Sequence, residues 1–356
     1  MNDLERQLDY PLGDTLPDLG STVDVAEGVR WLRMRLPFAL DHINLWLLRD
    51  EVDGRAGWAI VDCGIDNPGT RAAWEQVFDA RLDGLPVLRV IVTHLHPDHL
   101  GLAHWLCERW ATPEHPCRLW MSATDYHVAR GLIDRTDGVG GEAAAVFMAA
   151  HGIVDPGALQ QIRERRGHFA SLVPALPPHY RRLLGGDTLR IGGREWHCHV
   201  GHGHAPEHIA LHCPTLGVLI AGDMVLPRIS TNISVIEAEP EADPLPQFLA
   251  SIERMRALPA ETLVLPSHGK PFRGLHTRID QLQAHHAERL ADLMAAAREV
   301  PLSAADALPV LFRRTLDLHQ TTFAMGEAIA HLNALWLGGR LTRQRGSDGV
   351  WRFSAA

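Results

Sequence analysis

One short run, Thr93-His94-Leu95-His96-Pro97-Asp98-His99, places three imidazoles and a carboxylate within six positions. Imidazole nitrogen mixed with carboxylate oxygen is the donor set that borderline divalent cations such as Zn²⁺ favour. His94 and His96 alternate on an emerging strand and therefore point the same way. Pro97 stiffens the turn, and Asp98 with His99 opens the following helix. In a chain with 22 histidines a lone His-x-His would mean little. The complete motif directly after an apolar strand means much more.

Three later stretches strengthen this reading. They are Gly201-His202-Gly203-His204-Ala205-Pro206-Glu207-His208, then Ala221-Gly222-Asp223, then Pro266-Ser267-His268-Gly269. Each is weak alone, but each follows an apolar strand, and a metal centre needs ligands gathered from separate strand ends. The remaining histidines carry less. His197 and His199 alternate on one strand face, where structural roles are the commoner outcome. His208 reads as a turn-stabilising residue, His202 is left open, and His285 and His286, on a helix, are expected to be solvated.

The elements that must position these residues follow from periodicity. Val29 to Leu36, Ile43 to Leu48 and Trp58 to Val61 read as a β-meander, and Thr70 to Leu82 has helical spacing. Leu88 to Val92 is a buried strand running into His94, and a helix continues after His99 toward Trp110. Residues 123–182 read as a mainly helical insertion able to roof a pocket. Strands return at Thr188 to Ile191, Glu195 to Val200, Ile209 to His212 and Leu219 to Ala221. A helix near Leu245 to Leu258, a strand at Leu263 to Leu265 and a long helix from Leu275 toward Arg298 follow.

Pro301 marks a boundary. Ser303 caps a helix through Leu311, Met325 to Leu337 forms another, and residues 341–353 read as a hairpin across Ser-Asp-Gly. The expected organisation is an irregular arm over residues 1–28, a catalytic domain over 29–300 and a winged-helix-like module over 301–356. Alternation of strands and helices makes the fold class α/β.

Composition narrows the class further. The chain of 356 residues is 46% hydrophobic and 22% charged, which fits a globular protein and excludes wholesale disorder. Its formal charge of −9 argues against broad attraction to phosphate backbones or anionic lipid. No apolar run reaches the roughly 20 residues needed to span a bilayer. The first residues lack a secretory leader's basic and apolar regions, so a cytoplasmic location is expected. Five cysteines without a Cys-x-x-Cys pair point to buried thiols, not a disulfide framework.

With these motifs in hand, the sequence resembles the metallo-β-lactamase superfamily across about residues 29–286. The resemblance implies a four-layer αββα sandwich with a metal centre at one edge of its two sheets. It implies that His94, His96 and His204 hold one metal, that Asp98, His99 and His268 hold the other, and that Asp223 bridges them. Asp62, in Val61-Asp62-Cys63-Gly64, matches the family's early structural aspartate and would support the site from behind the ligands. His42 and Asn44 fall on an early loop that often faces the cleft in this superfamily. They and Arg228, five residues after Asp223, are candidate substrate contacts.

The full ligand set favours a hydrolase with two divalent metal ions, Zn²⁺ first and Fe or Mn as alternatives. Two cations sharing a water lower its pKa, so a bridging hydroxide could attack an ester, thioester or lactone of a small molecule. Asp98 would orient that nucleophile, and Asp223 would hold the pair together. The rival readings are a metal-dependent endoribonuclease or phosphodiesterase, and a metal-binding regulatory protein without turnover. Residues 289–356 hold eight Arg against six Asp or Glu, too weak an excess for phosphate binding. A packing or homodimer-forming role is therefore expected for the C-terminal module, with no membrane partner.

Overall fold

The computed structural model describes residues 3–134, 140–312, 314 and 316–356. The meander is present as β2 (Val29–Arg35), β3 (His42–Val52) and β4 (Arg55–Val61), paired antiparallel in sequence order. Ahead of it β1 (Val23–Ala26) pairs with β2, so the arm ends in an edge strand that its Pro, Gly and Asp content had obscured. The chain then enters α1 (Pro68–Arg81), where the Asn67 side chain accepts the Thr70 amide and Pro68 sits in the first turn. It returns through β5 (Val87–Ile91).

Two further parallel strands, β6 (Arg118–Ser122) and β7 (Tyr180–Leu183), complete a seven-stranded sheet in the order β1 to β7. Between β5 and β6 lie α2 (Pro97–Leu100) and α3 (Ala103–Trp110). Between β6 and β7 lie α4 (Ala123–Asp134), α5 (Gly141–Ala150), α6 (Pro156–Glu164) and α7 (His168–Leu172). Among its described residues the insertion is thus mainly helical to Leu172, and its last residues belong to the sheet. That sheet role was hidden because Tyr180-Arg181-Arg182-Leu183 is too short and too polar to read as a strand.

The second sheet contains β8 (Thr188–Ile191), β9 (Arg194–Gly201), β10 (His208–Cys213), β11 (Val218–Gly222) and β12 (Leu263–Pro266). Its order is β12-β11-β10-β9-β8, antiparallel except for the β11–β12 pair. Around it and beyond it lie α8 (Pro244–Arg254), α9 (Leu275–Glu299), α10 (Ala304–Leu311), α11 (Leu318–Leu337) and the hairpin β13 (Leu341–Arg345) with β14 (Trp351–Ala355).

Three apolar clusters define the layers. Along β3, Trp46 and Leu48 point between the sheets, where they meet Trp196, Leu211 and Ile220. The alternate residues Leu45 and Leu47 point outward to Trp74, Phe78 and Leu106 on the helices. This double burial explains why the strand reads as an unbroken apolar run. The outer face of the second sheet, with Ala210 and Leu219, packs on Phe248, Ile279 and Ile329. The result is the αββα sandwich, with burial of each large side chain contributing about 1.5–3 kcal/mol.

That last cluster runs without a break from Leu8 through the insertion's Phe147 to Leu302 and Phe353. The C-terminal helices and hairpin therefore share a core with the second sheet on both sides of Pro301. Ser303 caps α10 as expected, in a reciprocal bond with Asp306. The expectation for His286 fails. It is fully buried, its Nδ1 lies 3.1 Å from His331 Nε2, and its ring meets Phe248 edge-on. Helix periodicity identified the face but not the neighbours that cover it. His285 is half-buried. Among the described residues no helix is long and apolar enough to cross a membrane.

Candidate metal centre

Four strand ends on one edge deliver the chemistry. β5 runs into His94, β9 into His204, β11 into Asp223 and β12 into His268. Their side chains converge in groups whose potential ligand atoms lie within 4.8 Å of one another: His94, His96 and His204; His94, His99 and Asp223; Asp98, His99 and His268. Within the first, His94 Nε2 lies 2.9 Å from His96 Nδ1 and 3.2 Å from His204 Nε2. Within the last, Asp98 Oδ2 lies 3.4 Å from His268 Nε2 and 3.7 Å from His99 Nε2.

Asp223 joins the groups. Its Oδ2 lies 3.3 Å from His204 Nε2, whereas its Oδ1 lies 3.5 Å from His99 Nε2 and 3.6 Å from His268 Nε2. Donors held about 2.0–2.1 Å from a tetrahedral ion are about 3.4 Å apart. The observed separations match that figure. In addition, His99 Nε2 and Asp223 Oδ1 are buried without a hydrogen bond, a costly arrangement unless a cation satisfies both. The residues present fit the binding of divalent metal.

The electrostatics agree. Burial and the surrounding imidazoles hold His94 well below its ordinary pKa, and burial with His204 brings His96 down to about 3. Both therefore offer free lone pairs at neutral pH. Burial opposes charge on Asp98 and Asp223, but the facing His99 and His268 outweigh it and keep both carboxylates ionised. Asp223 and Asp98 overcome burial in turn and raise His268 to about 10, while Asp62 with Asp98 and Asp223 raises His99 well above its usual value. The pocket demands positive charge, and ions bound there would displace these protons.

Several of these side chains are themselves held. Asp62, buried and with φ of 63°, accepts the Thr93 amide at Oδ1 (2.8 Å). Its Oδ2 lies 2.8 Å from His99 Nδ1, which donates and so directs Nε2 at the carboxylates. Thr93 Oγ1 donates to the same Oδ2 and lies 3.0 Å from His94 Nδ1. His204 Nδ1 donates to the Asn232 carbonyl at 2.7 Å. Asp125, at the start of α4, accepts the Leu95 amide at one oxygen (2.9 Å) and the Glu207 amide at the other (2.7 Å). It thereby ties the loop of His94 to the loop of His204, and burial raises its pKa to about 6.

Thr93, Asp125 and Asn232 were not singled out from the sequence. Asp125 and Asn232 act largely through backbone groups, which leave no mark in a motif. A buried aspartate just inside a helix is the one signal that could have found Asp125.

The other candidates fall in different places. His208 is buried behind the ligands, stacked 4.9 Å from His94, with Nε2 accepting the Asp223 amide at 3.2 Å. His202 turns away and binds the Pro206 carbonyl. His197 meets Thr188, and His199 lies beside His212 on the outer face of the second sheet. Arg228 is largely exposed, 4.0 Å from Glu5 of the arm. His42 and Asn44 lie on β3 and not on a loop, because the strand pairing with β2 extends to Arg35; His42 is half-buried, and Asn44 is fully buried beneath the loop carrying His268.

This centre, at the edge of an αββα sandwich, can be set beside known proteins. Residues 39–268 match the family described as Metallo-beta-lactamase superfamily. The chain belongs to the metallo-β-lactamase superfamily. Residues 290–356 match a second family, Metallo-beta-lactamase-like, C-terminal domain. A solved beta-lactamase domain protein from Burkholderia ambifaria is 57% identical, with a TM-score of 0.94 and full coverage of both chains. A metallo-beta-lactamase family protein from Thermus thermophilus is 27% identical, with a TM-score of 0.75, covering 94% of this chain and 100% of that one. A Bacillus subtilis (strain 168) protein called Probable metallo-hydrolase YqjP is 23% identical, over 87% of this chain and 92% of its own. Metal-dependent hydrolysis is therefore the class of chemistry of this superfamily member.

Proposed function

We propose that the chain is a dinuclear hydrolase of a small-molecule ester, thioester or lactone. The observation that carries this reading is Asp223, whose two oxygens face two different sets of donors. His94, His96 and His204 would hold one cation, Asp98, His99 and His268 the other, and Asp223 both. Two divalent ions, Zn²⁺ by donor type with Fe or Mn as alternatives, would bring the pKa of a water toward neutrality and polarise the bond to be cut.

The chain's own groups supply orientation. Asp98 Oδ2 faces His99 and His268, which leaves Oδ1 to accept a hydrogen bond from the attacking water. Because Asp98 stays ionised, it serves as an acceptor at neutral pH. Asp62 and the Asn232 carbonyl fix the tautomers of His99 and His204, so no imidazole has to turn during reaction.

For the C-terminal domain we favour packing over nucleic-acid binding. Arg343 is engaged by Glu241 and two tryptophans, Trp336 and Trp351, and Arg352 by Asp348. These cations already have partners within the chain.

Elemental analysis of the purified protein, paired with a panel of thioesters, lactones, phosphodiesters and single-stranded RNA, tests the reading. Two metal equivalents per chain are expected, with turnover in the ester, thioester or lactone classes that chelation abolishes and metal restores. Full activity after stripping, or turnover confined to RNA, would overturn it.

A further inference from the structure

The loop that carries His268 is bonded by backbone and side-chain groups of β2 and β3. Asn44 donates its backbone amide to the Ser267 carbonyl (2.7 Å), and its side-chain nitrogen to the carbonyls of Pro266 (2.8 Å) and Gly269 (3.0 Å). Arg33 Nε donates to Asn44 Oδ1 (3.0 Å), and its Nη2 donates to the Gly269 carbonyl. His42 closes the other side. Its backbone carbonyl accepts from His268 Nδ1 (2.7 Å), and its own Nε2 lies 2.9 Å from the Gly269 nitrogen.

The roles in that last contact are fixed by chemistry. A backbone N–H only donates, so His42 Nε2 is the acceptor and Nδ1 carries the proton. Nδ1 then donates to Asp41 Oδ1, 2.6 Å away. Gly269 completes the arrangement. With φ of 91° and an added Cβ only 2.6 Å from Pro227, the position admits glycine alone.

We propose that Arg33, His42 and Asn44 are positioning residues that clamp Gly269 and thereby set His268, and with it the metal set of Asp98, His99 and His268. They act through the loop and do not contact substrate. Asn44 has no free group to offer a substrate, since both side-chain hydrogens and its oxygen are taken within the protein. His204, in the other set, is held from a different direction by Asn232. The clamp therefore acts on one of the two ions, an inference that rests on the dinuclear reading above.

The test is Zn²⁺ titration of metal-stripped protein against a chromophoric chelator, with His96→Ala and His268→Ala marking the two equivalents. His42→Ala is expected to weaken the equivalent lost in His268→Ala by about 10- to 100-fold and leave the other within about twofold. His42→Gln, whose amide oxygen can accept the Gly269 N–H, should recover to within roughly threefold of wild type. Arg33→Ala approaches the same carbonyl from the other side and should reproduce the selective loss if His42→Ala fails to fold. Equal weakening of both equivalents, or unchanged affinity with a raised KM, would overturn the clamp. If the wild type holds a single ion, the dinuclear reading fails. The clamp is then judged separately, by whether His42→Ala weakens the ion that His268→Ala abolishes.

Discussion

Asp62 holds His99 through a 2.8 Å contact in which neither side chain is exposed to solvent. The carboxylate can only accept, so it fixes the proton on Nδ1 and leaves Nε2 for an ion. Asp62→Asn removes the charge that favours this arrangement and should lower metal affinity about 10- to 100-fold with the fold retained. Chelator competition checks the affinity and circular dichroism checks the fold.

Asp125 bonds two buried amides from separate loops, Leu95 and Glu207. Asp125→Ala strands both, at a cost of about 1–3 kcal/mol each. Asp125→Asn keeps one acceptor oxygen and should lose roughly half as much. Guanidinium denaturation of the two variants would show that order, and the reverse order would contradict it.

The C-terminal domain reaches the centre through α11. Val235 donates its amide to the Gly326 carbonyl, and Glu327 Oε2 lies 3.5 Å from the Asn232 side chain, next to the carbonyl that orients His204. A Cβ on Gly326 would fall 2.7 Å from Ser234 Oγ. Gly326→Ala should therefore displace the 232–235 segment and weaken the metal equivalent that depends on His96, sparing the one that depends on His268. The same Zn²⁺ titration separates the two.

His286 and His331 give the protein an acid limit. His331 Nδ1 donates to the Glu327 carbonyl and His286 Nδ1 to His331 Nε2, a chain that needs the His331 ring neutral, while burial disfavours charge on both rings. Burial, with the charges of His331 and His285, lowers His286 to about 3. Burial, with His285 and Arg289 adding to it, lowers His331 to about 4. Folded values below the unfolded 6.5 mean that their contribution is complete above about pH 6.5 and is lost as pH falls toward 4 and 3. A His286→Leu/His331→Leu double variant should show a flatter loss of Tm between pH 6.5 and 4 than wild type. An equally steep loss would assign the acid limb to other groups.

What could be read in advance follows from where the information lies. That His94, His96, Asp98 and His99 cluster was legible because six consecutive positions fix their own geometry. His204, Asp223 and His268 were legible because each follows an apolar strand, and strands of one sheet share an edge. Asp125 and Asn232 were not, since tertiary approach alone brings their oxygens to the Leu95 and Glu207 amides and to His204. β1 and β6 escaped for a related reason. A strand gains most of its stability from its neighbours, and Val23–Ala26 and Arg118–Ser122 are short and interrupted by charge or hydroxyl.

The apolar cluster that links Leu8 to Phe353 has a bearing on how the chain is made. During synthesis the seven-stranded sheet with α1, α3 and α4 can assemble as soon as β7 emerges. Phe248, Ile279 and Met325 must wait for residues near the far end of the polypeptide before water is shut out. Until residue 353 leaves the ribosome, this flank stays open and adhesive, and it is there that a nascent chain would need a chaperone.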